Sequence, residues 1–190
     1  MDIIEPIIKI DSKSRIDFLE HVPHNAVCAE IGCLKGRFTW QILTYASPKK
    51  LYVIDPYWKK FGDAYYWDES KKTMDCFAKA IWRIRQTEKS DNVTFVIDTD
   101  DSFLPDLKDN IFDWIYLDAS HKYADTLLEL DIIKDKIKLN GLICGHDYGS
   151  SKHPGATEAI QEWLVANNDF EFYLLDNHMQ WMIRRKLNEK

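Results

Sequence analysis

Glycine and proline are scarce in this sequence, seven and six in 190 residues, which excludes collagen-like and linker sequence. No apolar run approaches the roughly 20 residues that span a bilayer. The opening MDIIEPIIKIDSKSR has acids and a proline where a secretory leader needs a basic start and an unbroken apolar stretch. Cys28, Cys33, Cys76 and Cys144 form no C-x-x-C pair, which argues against a zinc knuckle, a redox dithiol or a disulfide framework and leaves buried free thiols. A reducing cytoplasm is the expected location, without a membrane partner. The 25 basic residues are outnumbered by 31 acids and cluster only at Arg184, Arg185, Lys186 and Lys190, so no phosphate-tracking surface and no nucleic-acid partner is expected.

What is present suits an ordinary globular domain, with 45% hydrophobic and 29% charged residues. A chain of this length buries roughly 70% of its unfolded surface around one core, and residues 1–190 are read as a single domain. A short helix is expected over Ser14 to His21. Five apolar runs of strand length follow, AVCAEI, LYVI, VTFVI, FDWIYL and GLICG. Helical stripes lie between them: Phe38, Ile42 and Tyr45; Met74, Phe77, Ile81 and Ile84 within residues 68–87; and Tyr123, Leu127, Leu130, Ile133 and Ile137. Asn140 and Gly141 read as the left-handed stop of the last of these. A helix from about Thr157 to Ala166 precedes FEFYLL and QWMIRR, an expected antiparallel pair.

Strands without clean alternation, separated by helices, predict a doubly wound α/β fold with a mostly parallel sheet. Ligands in such folds bind beyond the carboxyl ends of the strands. Here those ends carry Glu30, Asp55, the Asp98 to Asp101 cluster, Asp118, and His146 with Asp147. Carboxylates are seldom buried without a partner, so packing does not account for an acidic rim. The first turn, Glu30-Ile-Gly32-Cys-Leu-Lys-Gly36, lets backbone approach a ligand but lacks the Lys-Ser/Thr of a phosphate-binding loop. Asp55, about 20 residues on, can accept both hydroxyls of a ribose. Together they point to a nucleoside ligand without a pyrophosphate.

CAEIGCLKGRF, LYVIDPYW, FDWIYLDASHKYADTLLELDIIKDKIKLNGLICGHDY and HPGATEAIQEW resemble, in order, the motifs of class I S-adenosylmethionine-dependent methyltransferases. The likeness is closest to the branch that includes macrolide-sugar O-methyltransferases and cephalosporin-hydroxylase-like proteins, and it covers about residues 26–163. It implies seven strands in the order 3-2-1-4-5-7-6. It also implies that Glu30, Gly32 and Gly36 line the methionine end of the cofactor, that Asp55 takes the ribose, that Asp101 and Ser102 lie near the adenine, and that Asp118 touches the cofactor as well.

Methyl transfer to an alcohol needs a base to remove the hydroxyl proton or a cation to lower its pKa. Asp118 and Asp147, at the ends of adjacent strands, could share a magnesium ion. His121, three residues after Asp118, could then be the base, an arrangement similar to that of the macrolide-sugar enzymes. Asp118 could instead cap the following helix. His146 is either a turn residue or a further metal ligand, and His146-Asp147 departs from the Asp-Asn of catechol-type enzymes.

The expected function is S-adenosylmethionine-dependent O-methylation of a small hydroxylated acceptor, a sugar or a natural product. An iron-dependent hydroxylase-like enzyme using His121 and His146 with a carboxylate and a non-catalytic cofactor-binding module are the alternatives. YWKKFGDAYYW, residues 57–67, holds six aromatics and reads as a lid that stacks on the acceptor, a satellite core, or a homodimer contact.

Overall fold

The computed structural model describes residues 4–6, 8–11, 14–57, 71–176 and 179–186. Among these, one sheet contains β1 (Ile8–Asp11), β2 (Val27–Ile31), β3 (Lys50–Ile54), β4 (Val93–Val96), β5 (Phe112–Leu117), β6 (Ile137–Gly145), β7 (Phe170–Asp176) and β8 (Gln180–Arg185). The order is β1-β7-β8-β6-β5-β2-β3-β4. Every neighbouring pair is parallel except β8 with β6 and with β7. Setting β1 aside, this is the expected 3-2-1-4-5-7-6 with its antiparallel C-terminal pair. The eighth strand is an addition: Ile8–Asp11 pairs parallel with β7, Ile8 opposite Tyr173 and Asp11 opposite Asp176. A four-residue run carries little strand signal of its own and is recruited by an edge with open hydrogen-bonding groups.

The central strands look continuously apolar because both faces are covered. Trp114 and Tyr116 of β5 face one core with Cys28, Leu51, Val53 and Cys144. Ile115 and Leu117 face the other with Ile31, Ile54 and Ile143. α1 (Arg37–Gln41) and α2 (Lys71–Arg85) supply Phe38, Cys76 and Ala80 to the first face. α4 (Tyr123–Lys136) and α5 (Pro154–Ala166) supply Leu130, Ile133, Ile160 and Trp163 to the second. A single turn, α3 (Asp100–Phe103), follows β4. All four cysteines are buried and free. No helix among the described residues is long and apolar enough to cross a membrane.

Several local expectations are corrected. The segment after Ser14 makes only one 3-10 turn, Asp17–Glu20, enough to bury Phe18 and Leu19. α1 continues as a π-turn, Ile42–Ala46, whose wider pitch breaks the 3.6-residue stripe and leaves Tyr45 exposed. On α2 the buried stripe runs through Thr73, Cys76, Ala80 and Ile84, with Met74 exposed. α4 ends at Lys136 and β6 begins at once, so Asn140 and Gly141 are strand residues and not a left-handed cap. Ile137 pairs with Phe112 across an irregular register. A Cβ on Gly141 would meet Ile137 Cγ2 at 2.6 Å and the Asp113 carbonyl oxygen at 3.0 Å, so this glycine serves strand packing. The aromatic stretch lies outside the described residues beyond Tyr57, which is buried and donates its hydroxyl to the Leu34 carbonyl at 2.8 Å.

Candidate functional site

The strand order reverses between β2 and β5, the position where doubly wound sheets open a crevice at their carboxyl ends. Gly32 leaves β2 with φ +88°, and its N–H donates to the Ile54 carbonyl at 2.9 Å. A Cβ there would stand 2.0 Å from the Asp118 carbonyl oxygen, so only glycine brings the β2 and β5 turns this close. Gly36 is left-handed, φ +69°, but its open side is filled by Ala80 Cα, 2.7 Å from where a Cβ would be. Its need for glycine comes from the packing of α1 on α2.

Asp55, fully buried at the end of β3, grips the same turn. One carboxylate oxygen accepts the N–H groups of Cys33 at 2.8 Å and Leu34 at 2.9 Å. The other, Oδ1, is buried with no partner among the described residues. Burial raises its pKa to about 6 against the pull of those two amides. Glu30 is also buried, 1% exposed, and accepts the Thr39 hydroxyl. Burial drives it to about 8 despite that bond, so at neutral pH it is mostly a neutral group bracing the turn from the interior.

Across the reversal, Asp118 and Asp147 converge on His121. Nε2 of His121 is 3.1 Å from Asp118 Oδ1 and 2.6 Å from Asp147 Oδ2. Both partners are acceptors, so Nε2 carries a proton, which it donates to Asp118 Oδ1. Burial favours the neutral ring, but the two carboxylates outweigh it and raise His121 to about 10. Burial also opposes the charge on Asp118 and Asp147. The His121 hydrogen bond, with the Arg15 charge for Asp118 and a His146 hydrogen bond for Asp147, nevertheless holds both below the usual carboxylate range. His121 and Asp147 adopt left-handed backbone, φ +60° and +66°, strain of the kind that accumulates where side chains must converge.

The ligand atoms of Asp118, His121 and Asp147 lie within 4.8 Å of one another, a set able to hold a metal ion. His146 stands outside that set, its Nδ1 donating to Asp147 Oδ2 at 3.0 Å. The two-histidine set required by the hydroxylase alternative is therefore not assembled among the described residues. His153 stacks on His121, ring centroids 4.6 Å apart. Asp118 does not cap α4, whose N-cap is Lys122.

Two features escaped the sequence. Arg15 reaches in from the N-terminal segment to pair with Asp118; nothing local to Ser14-Arg15-Ile16 signals this. Near the β4 end, Asp101 and Ser102 are exposed, with Ser102 Oγ accepting the Thr99 hydroxyl at 3.0 Å. Asp100, within the acid cluster named from the sequence, and Glu129 of α4, which the sequence did not single out, hold buried oxygens with no partner among the described residues. Burial raises Asp100 to about 6 and Glu129 well above its ordinary value.

Solved structures share this architecture at low sequence identity. A Corynebacterium glutamicum protein matches with a TM-score of 0.70 and 13% identity, over 98% of this chain and 85% of that one. The O-methyltransferase NovP matches at 0.61 and 18%, over 91% and 80%. The O-methyltransferase TomG of Streptomyces achromogenes, involved in tomaymycin synthesis and solved with S-adenosylmethionine, matches at 0.59 and 13%, over 84% and 72%. No curated protein matches in sequence. A family model described as a methyltransferase domain matches residues 29–148, which span the glycine turn, Asp55, Asp118, His121 and Asp147. The chain belongs to this methyltransferase-domain family, and its fold is that of the class I S-adenosylmethionine-dependent methyltransferases.

Proposed function

We propose that the protein methylates a hydroxyl of a small acceptor, using S-adenosylmethionine. The observation that carries this reading is the convergence of Asp118 and Asp147 on Nε2 of His121, at 3.1 Å and 2.6 Å, beside the turn where Gly32 meets the Asp118 carbonyl. A proton-handling group beside the turn that would meet the cofactor supports the reading. The likeness of the fold to two O-methyltransferases supports an oxygen acceptor.

The residues present fit the cofactor. The unpartnered Oδ1 of Asp55 is an acceptor waiting for a hydroxyl donor, which a ribose supplies. The Gly32 turn leaves backbone alone beneath the arm that carries the sulfonium. Bound there, S-adenosylmethionine supplies an electrophilic methyl group. His121 is held as the imidazolium at neutral pH by its two carboxylates, so it takes a proton only when their charge is offset. The donor set of Asp118, His121 and Asp147 fits a divalent cation such as magnesium, which Asp118 and Asp147 would hold. Such an ion supplies a lowered pKa for the acceptor hydroxyl. His146, bonded to Asp147, orients that carboxylate.

The test is transfer of labelled methyl from S-adenosylmethionine to a panel of small sugars and phenols, with and without magnesium. Transfer lost in His121→Ala while S-adenosylhomocysteine still binds supports the reading. Undiminished transfer in that variant refutes the role of His121.

A further inference from the structure

The outer faces of α1 and α2 form a groove that the site above does not use. Arg37 and Trp40 of α1 and Trp82 and Arg83 of α2 line it together with Gln86, around a volume of about 240 Å³. Trp82 is 63% exposed, and the Trp40 ring meets that of Tyr45, itself 45% exposed, edge on at 6.2 Å. The core tryptophans Trp114, Trp163 and Trp181 all donate their indole N–H. Neither Trp40 nor Trp82 has an acceptor for its own among the described residues, and Arg37 has none for its guanidinium. Arg83 donates one N–H to the Lys35 carbonyl, which fastens this wall of the groove to the turn between Gly32 and Gly36.

Size and charge select the occupant. Small-molecule pockets run from roughly 300 to 1,000 Å³, so this groove is suited to a side chain or two of a polypeptide. Exposed Trp, Tyr and Arg are the residues on which partner binding concentrates. No acid lies between Arg37 and Ala46, and Lys79, Arg83 and Arg85 stand within one turn of Trp82, with Asp75 and Glu88 further off. On a chain of net charge -6, such a face is complementary to an acidic partner. A second copy does offer an acidic apolar surface, Leu128 of α4 beside Asp125 and Asp131. It lies on the other side of the sheet, so contacts between copies would run head to tail and not close as a two-fold dimer. This favours a separate protein.

We propose that the groove between α1 and α2 docks an acidic segment of a partner protein, with an apolar side chain between Trp40 and Trp82 and flanking carboxylates on Arg37 and Arg83. The test is selection of a displayed random-peptide library on the unaltered protein, on Trp82→Ala and on Arg37→Glu, followed by titration of the enriched peptides. Trp82 and Arg37 are exposed, and Arg83 is left intact because it also holds Lys35. Thermal unfolding checks that each variant is folded.

The enriched sequences should place Asp or Glu around an aromatic or leucine residue, and each substitution should weaken their binding at least about tenfold. Enrichment of basic or uncharged sequences, binding undiminished by either substitution, or no enrichment at all overturns the proposal. Sedimentation of the unaltered protein and titration of a polyuridylate oligonucleotide cover the other occupants. Self-association, or oligonucleotide binding, that is lost in Trp82→Ala overturns it in favour of a second copy or of single-stranded nucleic acid.

Discussion

The ribose role proposed for Asp55 comes at a cost to the fold, and the two effects separate by pH. In the ligand-free protein its pKa is about 6 against an ordinary 3.8, so the folded state holds this proton more tightly than the unfolded chain. The stability it brings is complete below 3.8 and is lost as pH rises through about 6. Linkage sets the full loss at about 3 kcal/mol above that range. Asp55→Asn keeps an oxygen for the Cys33 and Leu34 amides and removes the titration. Its stability relative to the unaltered protein should therefore rise by up to about 3 kcal/mol between pH 4 and pH 8. Because both measurements use the same variant, any constant penalty for the buried amide cancels. Urea unfolding of ligand-free protein at the two pH values measures this. S-adenosylhomocysteine titration of the same variant should show a loss of about 10- to 150-fold at pH 8, the worth of a hydrogen bond to a charged group. A stability difference that does not change with pH would refute the claim that burial of Asp55 sets its titration.

The remaining predictions concern the rim. Asp147→Asn removes one of the two carboxylates that raise His121 to about 10, and its pKa should fall by about 1 to 3 in an NMR titration of the imidazole. The stability owed to His121 is complete below 6.5 and lost as pH rises through its folded pKa, so in the variant the loss is smaller and is finished at lower pH. Gly32→Ala and Gly149→Ala both force alanine into left-handed backbone, φ +88° and +77°, but only at Gly32 does a Cβ strike backbone, with open space at Gly149. Thermal unfolding should show a cost of about 1 kcal/mol at Gly149 and several times that at Gly32; equal costs would mean that the two turns are not in contact.

The acids of the rim were legible because strand-end carboxylates have no packing role, and the pairing of Asp118 with His121 was legible from their three-residue spacing. Gly32 was legible as a turn, but its contact with the Asp118 carbonyl depends on the neighbouring strand. Asn140-Gly141 imitates a helix stop, and only the pairing of Ile137 with Phe112 shows that the strand has already begun. Gly36 reads as a ligand-facing glycine until Ala80 fills its open side. Arg15 was illegible because the residues that hold it, Phe38, Tyr116, Asp118 and Gln180, lie far along the chain. The left-handed backbone of His121 and Asp147 has no sequence mark either, since neither residue type demands it.

The edge strand gives the N-terminal segment a mechanical role. From β1 to β5 there are four strand spacings, about 19 Å at the usual separation, while Asp11 and Arg15 are four residues apart and can be separated by at most about 14 Å. The Arg15 side chain, which runs on from a backbone carbonyl held by Gln180 of β8, supplies the rest and pairs with Asp118. Making or breaking the Arg15 and Asp118 pair at the centre of the sheet is thereby coupled to zipping and unzipping at its margin. Hydrogen exchange of the Ile8–Asp11 amides becomes a remote gauge of the Arg15 and Asp118 pair, and several residues inserted between Asp11 and Arg15 should uncouple the two.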